Sequence, residues 1–204
     1  MTQQSQPSPA IATGSPLLDA RRYNTVAILL HWTIALLILC QIGLGWYMNE
    51  VLPDHTAAQD QAQAIHVSLG LTILLLVLVR IGARLASPPP PQPADLPGWE
   101  RGLISFTHGL FYVLMLILPL TGWMVISLET DPITLWGIPW PHLPGLGFLA
   151  QHKPWRHALK SVHVYWLIWL VFANLALHVA GALKHQFDGH PVLWRMWPGG
   201  GKRA

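Results

Sequence analysis

Residues 161–187 read SVHVYWLIWLVFANLALHVAGALKHQF and set His163, His178 and His185 in an otherwise almost wholly apolar stretch. The stretch is long enough to cross a hydrocarbon layer, which takes roughly 20 residues. A polar ring in lipid is costly unless it faces a bundle interior and finds a partner, so an intramembrane histidine is a candidate for function. His163 and His178 are 15 residues apart in the chain. At about 1.5 Å and about 100° per residue they lie roughly 22 Å apart along a helix and within roughly 60° of each other around it. One helix can therefore offer an imidazole to each of two buried levels.

The elements that must position these rings follow from composition. The 204 residues are 52% hydrophobic and only 10% charged, with 11 Trp and 11 His, against about 25% charged in an ordinary soluble domain. A membrane protein is indicated, and the basic residues are spread between apolar segments, which offers nucleic acid no patch. The lone Cys40 lies inside an apolar run. It reads as a small buried residue, and neither an internal disulfide nor a Cys-x-x-Cys-His haem attachment exists. Residues 1–20 are polar and rich in Ser, Pro and Ala, and read as a disordered cytoplasmic tail. Apolar spans follow at about 26–48, 65–85, 103–128 and 161–184, inside one domain covering 21–198, and a basic tail at 199–204 ends the chain. Pro88 to Pro97 reads as a stiff extended connector. Pro119 should kink the third span, and the 129–160 loop, with LWGIPWPHLPG, carries Trp residues suited to a membrane interface.

Four spans place both termini on one side. Arg21, Arg22, Arg80, Arg84, Arg101, Lys184, Arg195, Lys202 and Arg203 share that side, against Lys153, Arg156 and Lys160 on the other. The positive-inside rule then puts both termini in the cytoplasm. With that orientation His31 in the first span and His178 in the fourth share an inner level, while His66 in the second and His163 in the fourth share an outer one. Two imidazoles facing each other across a bundle are what a six-coordinate b-type haem requires. Hydrogen-bonded structural roles and zinc compete for the same rings. Zinc wants four close ligands or an added carboxylate, and the spans offer neither at these levels. His108 enters near the level of His31, where it could replace that ligand or contact a haem propionate or a quinone oxygen. His185 lies two turns beyond His178 beside Lys184 and reads as interfacial. His55, His142, His152, His157 and His190 fall in loops and read as solvated. Gly43, Gly45, Gly70, Gly109, Gly122 and Gly181 would allow close approach of helices or of a flat macrocycle.

The stretches RYNTVAILLHW, IHVSLGLTILLLVLVRIGAR, THGLFYVLMLILPLTGW, LHVAGALKHQF and VLWRMWP, taken together, resemble the bacterial cytochrome b561 family from about Arg21 to Pro198. The resemblance implies an all-α membrane protein, a four-transmembrane-helix bundle with two haems b inside it. His31 and His178 would hold the inner haem iron, and His66 and His163 the outer one. His108, Arg80, Arg101 and His185 are candidate contacts for a propionate or for quinone. The resemblance further implies quinone chemistry in the bacterial inner membrane and is similar to the subgroup described as superoxide oxidase, a superoxide:quinone oxidoreductase that delivers electrons to ubiquinone. Lys153, Arg156 and Lys160, just before His163, could steer the superoxide anion toward the outer haem edge, or could simply anchor the loop to lipid headgroups. The alternative is an electron-transfer subunit that couples a partner dehydrogenase or hydrogenase to the quinone pool, docked through the exposed WGIPWPHLP stretch. A His-lined proton or metal transporter is a third class.

Overall fold

A computed structural model of the chain describes residues 22–93, 95–129, 131–150, 153–188 and 192–199. The tail expected over residues 1–20 and residues 200–204 of the basic tail lie outside the described residues, as do His152 and His190. Three long helices come first, α1 (Thr25–Glu50), α2 (Ala57–Ala86) and α3 (Gly98–Ser127). A two-stranded hairpin of β1 (Ile133–Leu135) and β2 (Ile138–Trp140) and a single turn α4 (Gly147–Ala150) lead to α5 (Lys153–Ser161). A π turn (Val162–Trp166) joins α5 to α6 (Leu167–Phe187), and a 3₁₀ turn (Leu193–Met196) closes the described chain. Four helical segments, Thr25–Glu50, Ala57–Ala86, Gly98–Ser127 and Pro154–Phe187, are long and apolar enough to cross a membrane.

The protein is an all-α multi-pass membrane protein built as a four-helix bundle. Much of its apolar surface faces outward: Leu36, Trp46, Trp166, Trp169 and Phe187 are all exposed. Lipid is as apolar as these side chains, so packing contacts and buried polar bonds, not expulsion of water, must hold the helices together. Ile34 of α1 meets Ile73 and Val77 of α2, and Leu114 of α3 meets Leu167 and Val171 of α6. The amide of Gln41 donates to the His66 carbonyl at 2.7 Å, tying α1 to α2. Asn174, only 3% exposed, donates from Nδ2 to the Thr107 carbonyl at 3.1 Å and ties α6 to α3. Asn174→Ala removes that bond from a site with no competing water, and should lower thermal stability in detergent by about 1–2 kcal/mol.

Helices α1 and α2 begin where a polar side chain satisfies one of the first N–H groups. Asn24 Oδ1 accepts from Ala27 N at 2.7 Å, and Thr56 Oγ1 accepts from Gln59 N at 3.3 Å while Gln59 Oε1 takes the His55 N–H at 2.8 Å. This capping arrangement starts α2 eight residues before the apolar span at 65. The apolar run marks only the part in hydrocarbon, and AAQDQAQA extends the helix into water. The fourth helical segment likewise starts at Pro154 and not at 161, because the polar KPWRHALKS is itself helical. Helix α3 runs through Pro119 as one element.

Two further expectations change. Cys40 is exposed, not buried, since it lies on α1 away from the Ile34 face that packs on α2. The 129–160 region is no plain loop: Trp136 and Gly137, at φ 53° and 85°, make the tight turn of the hairpin. Positive φ is rare for a bulky residue. Trp136 is held there by its N–H donating to Ser68 Oγ at 3.1 Å and its indole N–H donating to Thr72 Oγ1 at 3.0 Å, which pins the hairpin to α2. At the opposite end, the C-terminal VLWRMWP segment returns to α1. Trp32 Nε1 donates to the Met196 carbonyl at 2.6 Å, Arg22 to the Trp197 carbonyl at 2.8 Å, and Tyr23 N to the Arg195 carbonyl at 3.2 Å. Arg195 in turn donates to the Pro91 carbonyl at 3.0 Å, so the 88–97 connector is strapped under the bundle.

Candidate functional site

Close helix packing runs between neighbours in sequence, α1 on α2, α2 on α3 and α3 on α6, while α6 makes no comparable approach to α1 or α2. Imidazoles face each other across that wider separation. At one level His31 of α1 and His178 of α6 have ring centres 6.3 Å apart with planes at 55°. At the other, His66 of α2 and His163 of the π turn have centres 6.3 Å apart with planes at 85°.

The spacing can be compared with metal chemistry. An imidazole nitrogen stands about 1.1 Å from its ring centre and meets a metal at about 2.0–2.1 Å, so two rings on opposite sides of one metal have centres about 6.3 Å apart. Rotation about the shared axis leaves the angle between planes free, so 55° and 85° fit equally. Among the described residues no three of His, Cys, Asp or Glu converge as a metal-binding group. Each level can offer a metal two imidazole nitrogens, the number that an iron already held by a porphyrin would still accept.

Local features shape each pair. At Gly122 an added Cβ would lie 2.9 Å from His163 Cε1, and at Gly45 it would lie 3.2 Å from His66 Cε1. The bare backbone of α3 and of α1 lets the Cε1 edge of each ring approach a helix closely. Gly70 similarly admits the Gln41 amide, whereas Gly43, Gly109 and Gly181 have no atom within 4 Å of a Cβ. Thr121 Oγ1 donates to the Leu118 carbonyl at 2.8 Å and lies 3.0 Å from His163 Nδ1. Around His31, Arg80 Nη2 approaches Nδ1 to 3.4 Å while Nη1 donates to the Ala27 carbonyl at 3.3 Å.

The π turn matters to this geometry. At its C-terminal end a ring closes from Leu167 N to the Val162 carbonyl, a wider turn than the α-helix that takes fewer degrees per residue. Over the four steps from His163 to Leu167 it takes up roughly the 60° by which a straight helix would set His163 off from His178. Both rings then project from one stripe.

His108 Nδ1–H donates to the Ile104 carbonyl at 2.7 Å, and its ring stands edge-to-face with His178 at 5.3 Å. That is about 1 Å less than a shared metal requires, so His108 is a neighbour of the His31–His178 pair and not one of its spacings. Phe111 flanks His178 on the same side at 5.3 Å. Arg84 stacks on the Tyr112 ring at 5.4 Å, and Arg101 is exposed near the start of α3. His185 is 7% exposed, more enclosed than an interfacial residue, with Nδ1 3.7 Å from Glu100 Oε2. Lys184 Nζ reaches the two Glu100 oxygens at 3.1 and 3.2 Å and Asp188 at 2.7 Å. Sequence reasoning missed Glu100, Thr121 and Asn174, which look like routine helix residues until their partners are seen. A carboxylate within the third span's polar start was the one available signal.

Arg156 and Lys160 sit on α5, one turn apart and just before His163. Arg156 Nη2 is 3.7 Å from Glu129 Oε1, while Lys160 is exposed. Lys153 opens α5, and its side chain lies outside what is described. His55, His142 and His157 are exposed.

Comparison with known proteins gives a consistent picture. A family model described as prokaryotic cytochrome b561 matches residues 22–199. Cytochrome b561 homolog 2 of Escherichia coli (strain K12) is 28% identical over 177 residues, 86% of this chain and 90% of that protein. Probable superoxide oxidase CybB of Yersinia pestis is 27% identical over 169 residues, 82% of this chain and 90% of that protein. Cytochrome b561 homolog 1 of Escherichia coli (strain K12) is 25% identical over 190 residues, 87% of this chain and 97% of that protein.

Proposed function

The chain belongs to the prokaryotic cytochrome b561 family, haem b-binding proteins of membrane electron transfer, and from that premise we propose that it carries electrons from periplasmic superoxide to ubiquinone. Two haems b are held, one by His31 and His178 and one by His66 and His163. The observation that carries this reading is the pair of 6.3 Å ring separations at two levels of one bundle. Held between two imidazoles, haem b would supply one-electron transfer there.

The basic residues orient the chain with both termini in the cytoplasm of a bacterial inner membrane, so His66 and His163 form the outer pair. Superoxide then arrives beside α5. Two superoxide ions give up one electron each and leave as dioxygen, and ubiquinone takes the two electrons with two protons to become ubiquinol. The chain's own contribution on the outer side is Lys160 and Arg156, with Lys153, whose charge raises the local anion concentration. Quinone sits at the inner end beside His108, Arg80, Arg101 or His185. The enclosed Glu100–His185 pair supports that placement, because ionisable groups that can hold a proton stand where quinol formation consumes protons.

Lys160→Glu should slow reduction by superoxide several-fold at low salt and flatten its salt dependence, since steering is an ionic-strength-dependent rate effect. Stopped-flow haem reduction by superoxide, with and without ubiquinone, checks both the variant and the reaction. A second reading, a carrier coupling a partner dehydrogenase or hydrogenase to the quinone pool, is favoured by the exposed Trp136 and Ile138 on the hairpin. Reduction no faster than the spontaneous background would select the carrier.

A further inference from the structure

We infer that Thr121 is a positioning residue for the outer haem: its hydroxyl fixes the tautomer of His163 and lowers the reduction potential on that side of the bundle. The inference rests on ligation by His163, as proposed above, and goes beyond it in naming what tunes the ligand.

Bond direction settles what Thr121 does. A hydroxyl has one proton to give. The Leu118 carbonyl can only accept, and it lies 2.8 Å from Thr121 Oγ1, so the Thr121 proton is committed there. A lone pair of Oγ1 is left to face His163 Nδ1 at 3.0 Å. The imidazole must then be the donor, a direction favoured also by the Leu118 carbonyl, which is itself a hydrogen-bond partner of the ring, and this places the proton on Nδ1 and leaves the Nε2 lone pair free for a metal. Thr121 is buried and lies within the apolar part of α3, so water does not compete for this bond. Gly122, the next residue, lets the ring lie against α3 closely enough for the bond to form.

His66 and His31 have no such support. His66 Nδ1 is buried and has no hydrogen-bond partner among the described residues. His31 Nδ1 faces the Arg80 guanidinium, a group that can only donate. His163 is thus distinguished from its partner at the same level and from His31 at the other. An acceptor on the distal nitrogen of a metal-bound imidazole raises its basicity and fixes its orientation. A more basic axial ligand favours the ferric state. Thr121 accordingly biases the outer site toward giving its electron away, in the inward direction that the proposed function requires.

The test uses the haem-loaded protein in detergent, titrated potentiometrically at the reduced α-band. Thr121→Val keeps the shape and removes the acceptor. It should shift one titrating component upward by roughly tenfold in reduced-to-oxidised ratio at fixed potential, about 59 mV for one electron, and leave the other component in place. Thr121→Ser keeps the hydroxyl and should titrate as the parent. A fully loaded valine variant with both components unmoved overturns the inference. If the valine variant accumulates without haem, Thr121→Ala is titrated against Thr121→Ser, and identical curves overturn it. Haem content of His163→Ala keeps the two levels of reading apart: full haem there sinks the ligation, whereas lost haem with an unmoved Thr121→Val titration sinks only the role of Thr121.

Discussion

His163→Ala should leave the protein with about half of its haem b per chain, and His178→Ala should do the same at the other level, because in the proposed arrangement each ring is one of only two protein ligands at its site. Pyridine haemochrome per mole of protein reads the loss directly. The double variant should be colourless, and electron transfer from superoxide to ubiquinone should fall to the background rate in all three. His108→Ala provides the contrast. Its 5.3 Å spacing to His178 leaves no room for a shared iron, so its haem content should equal that of the parent. Full pigment in either single ligand variant would sink the pairing.

Gly122→Ala is expected to act almost as strongly although it alters no ligand. The new methyl would lie 2.9 Å from His163 Cε1, 3.4 Å from Nε2 and 3.5 Å from Nδ1, crowding the ring along its whole edge. A side chain tip can usually swing away from such a contact. Here the ring is also tied through Nδ1 to Thr121, so moving it breaks a buried hydrogen bond as well as the alignment with His66. Haem occupancy at the outer site should drop severely, while Gly102→Ala on the same helix, where a Cβ meets nothing within 4 Å, should be silent. Equal haem content in the two variants would show that the ring has room to retreat.

Much of this design was legible in residue order. Four apolar runs gave four helices because length and composition are all that crossing hydrocarbon demands. The helices run on past those apolar spans, since α2 and the fourth helical segment begin with polar turns that carry no apolar signal. The two histidine levels followed from depth alone, and depth is a one-dimensional property that sequence spacing preserves. What sequence spacing does not preserve is azimuth. A straight helix leaves His163 and His178 roughly 60° apart, and nothing in SVHVYW announces the π turn that absorbs this difference. The roles of Gly122 and Thr121 were hidden for the same reason, because each depends on which neighbour lies opposite. Cys40 shows the limit from the other side: an apolar neighbourhood in sequence says a residue is in the membrane, not whether lipid or protein surrounds it.

The return of the C-terminal segment to Trp32 joins residues 164 positions apart. Since a chain is made from its amino end, Met196 emerges only after His178, and α1 gains this fastening at its base only after the last span has been made. The contact therefore closes the bundle's base across the first and last spans, the two that carry His31 and His178.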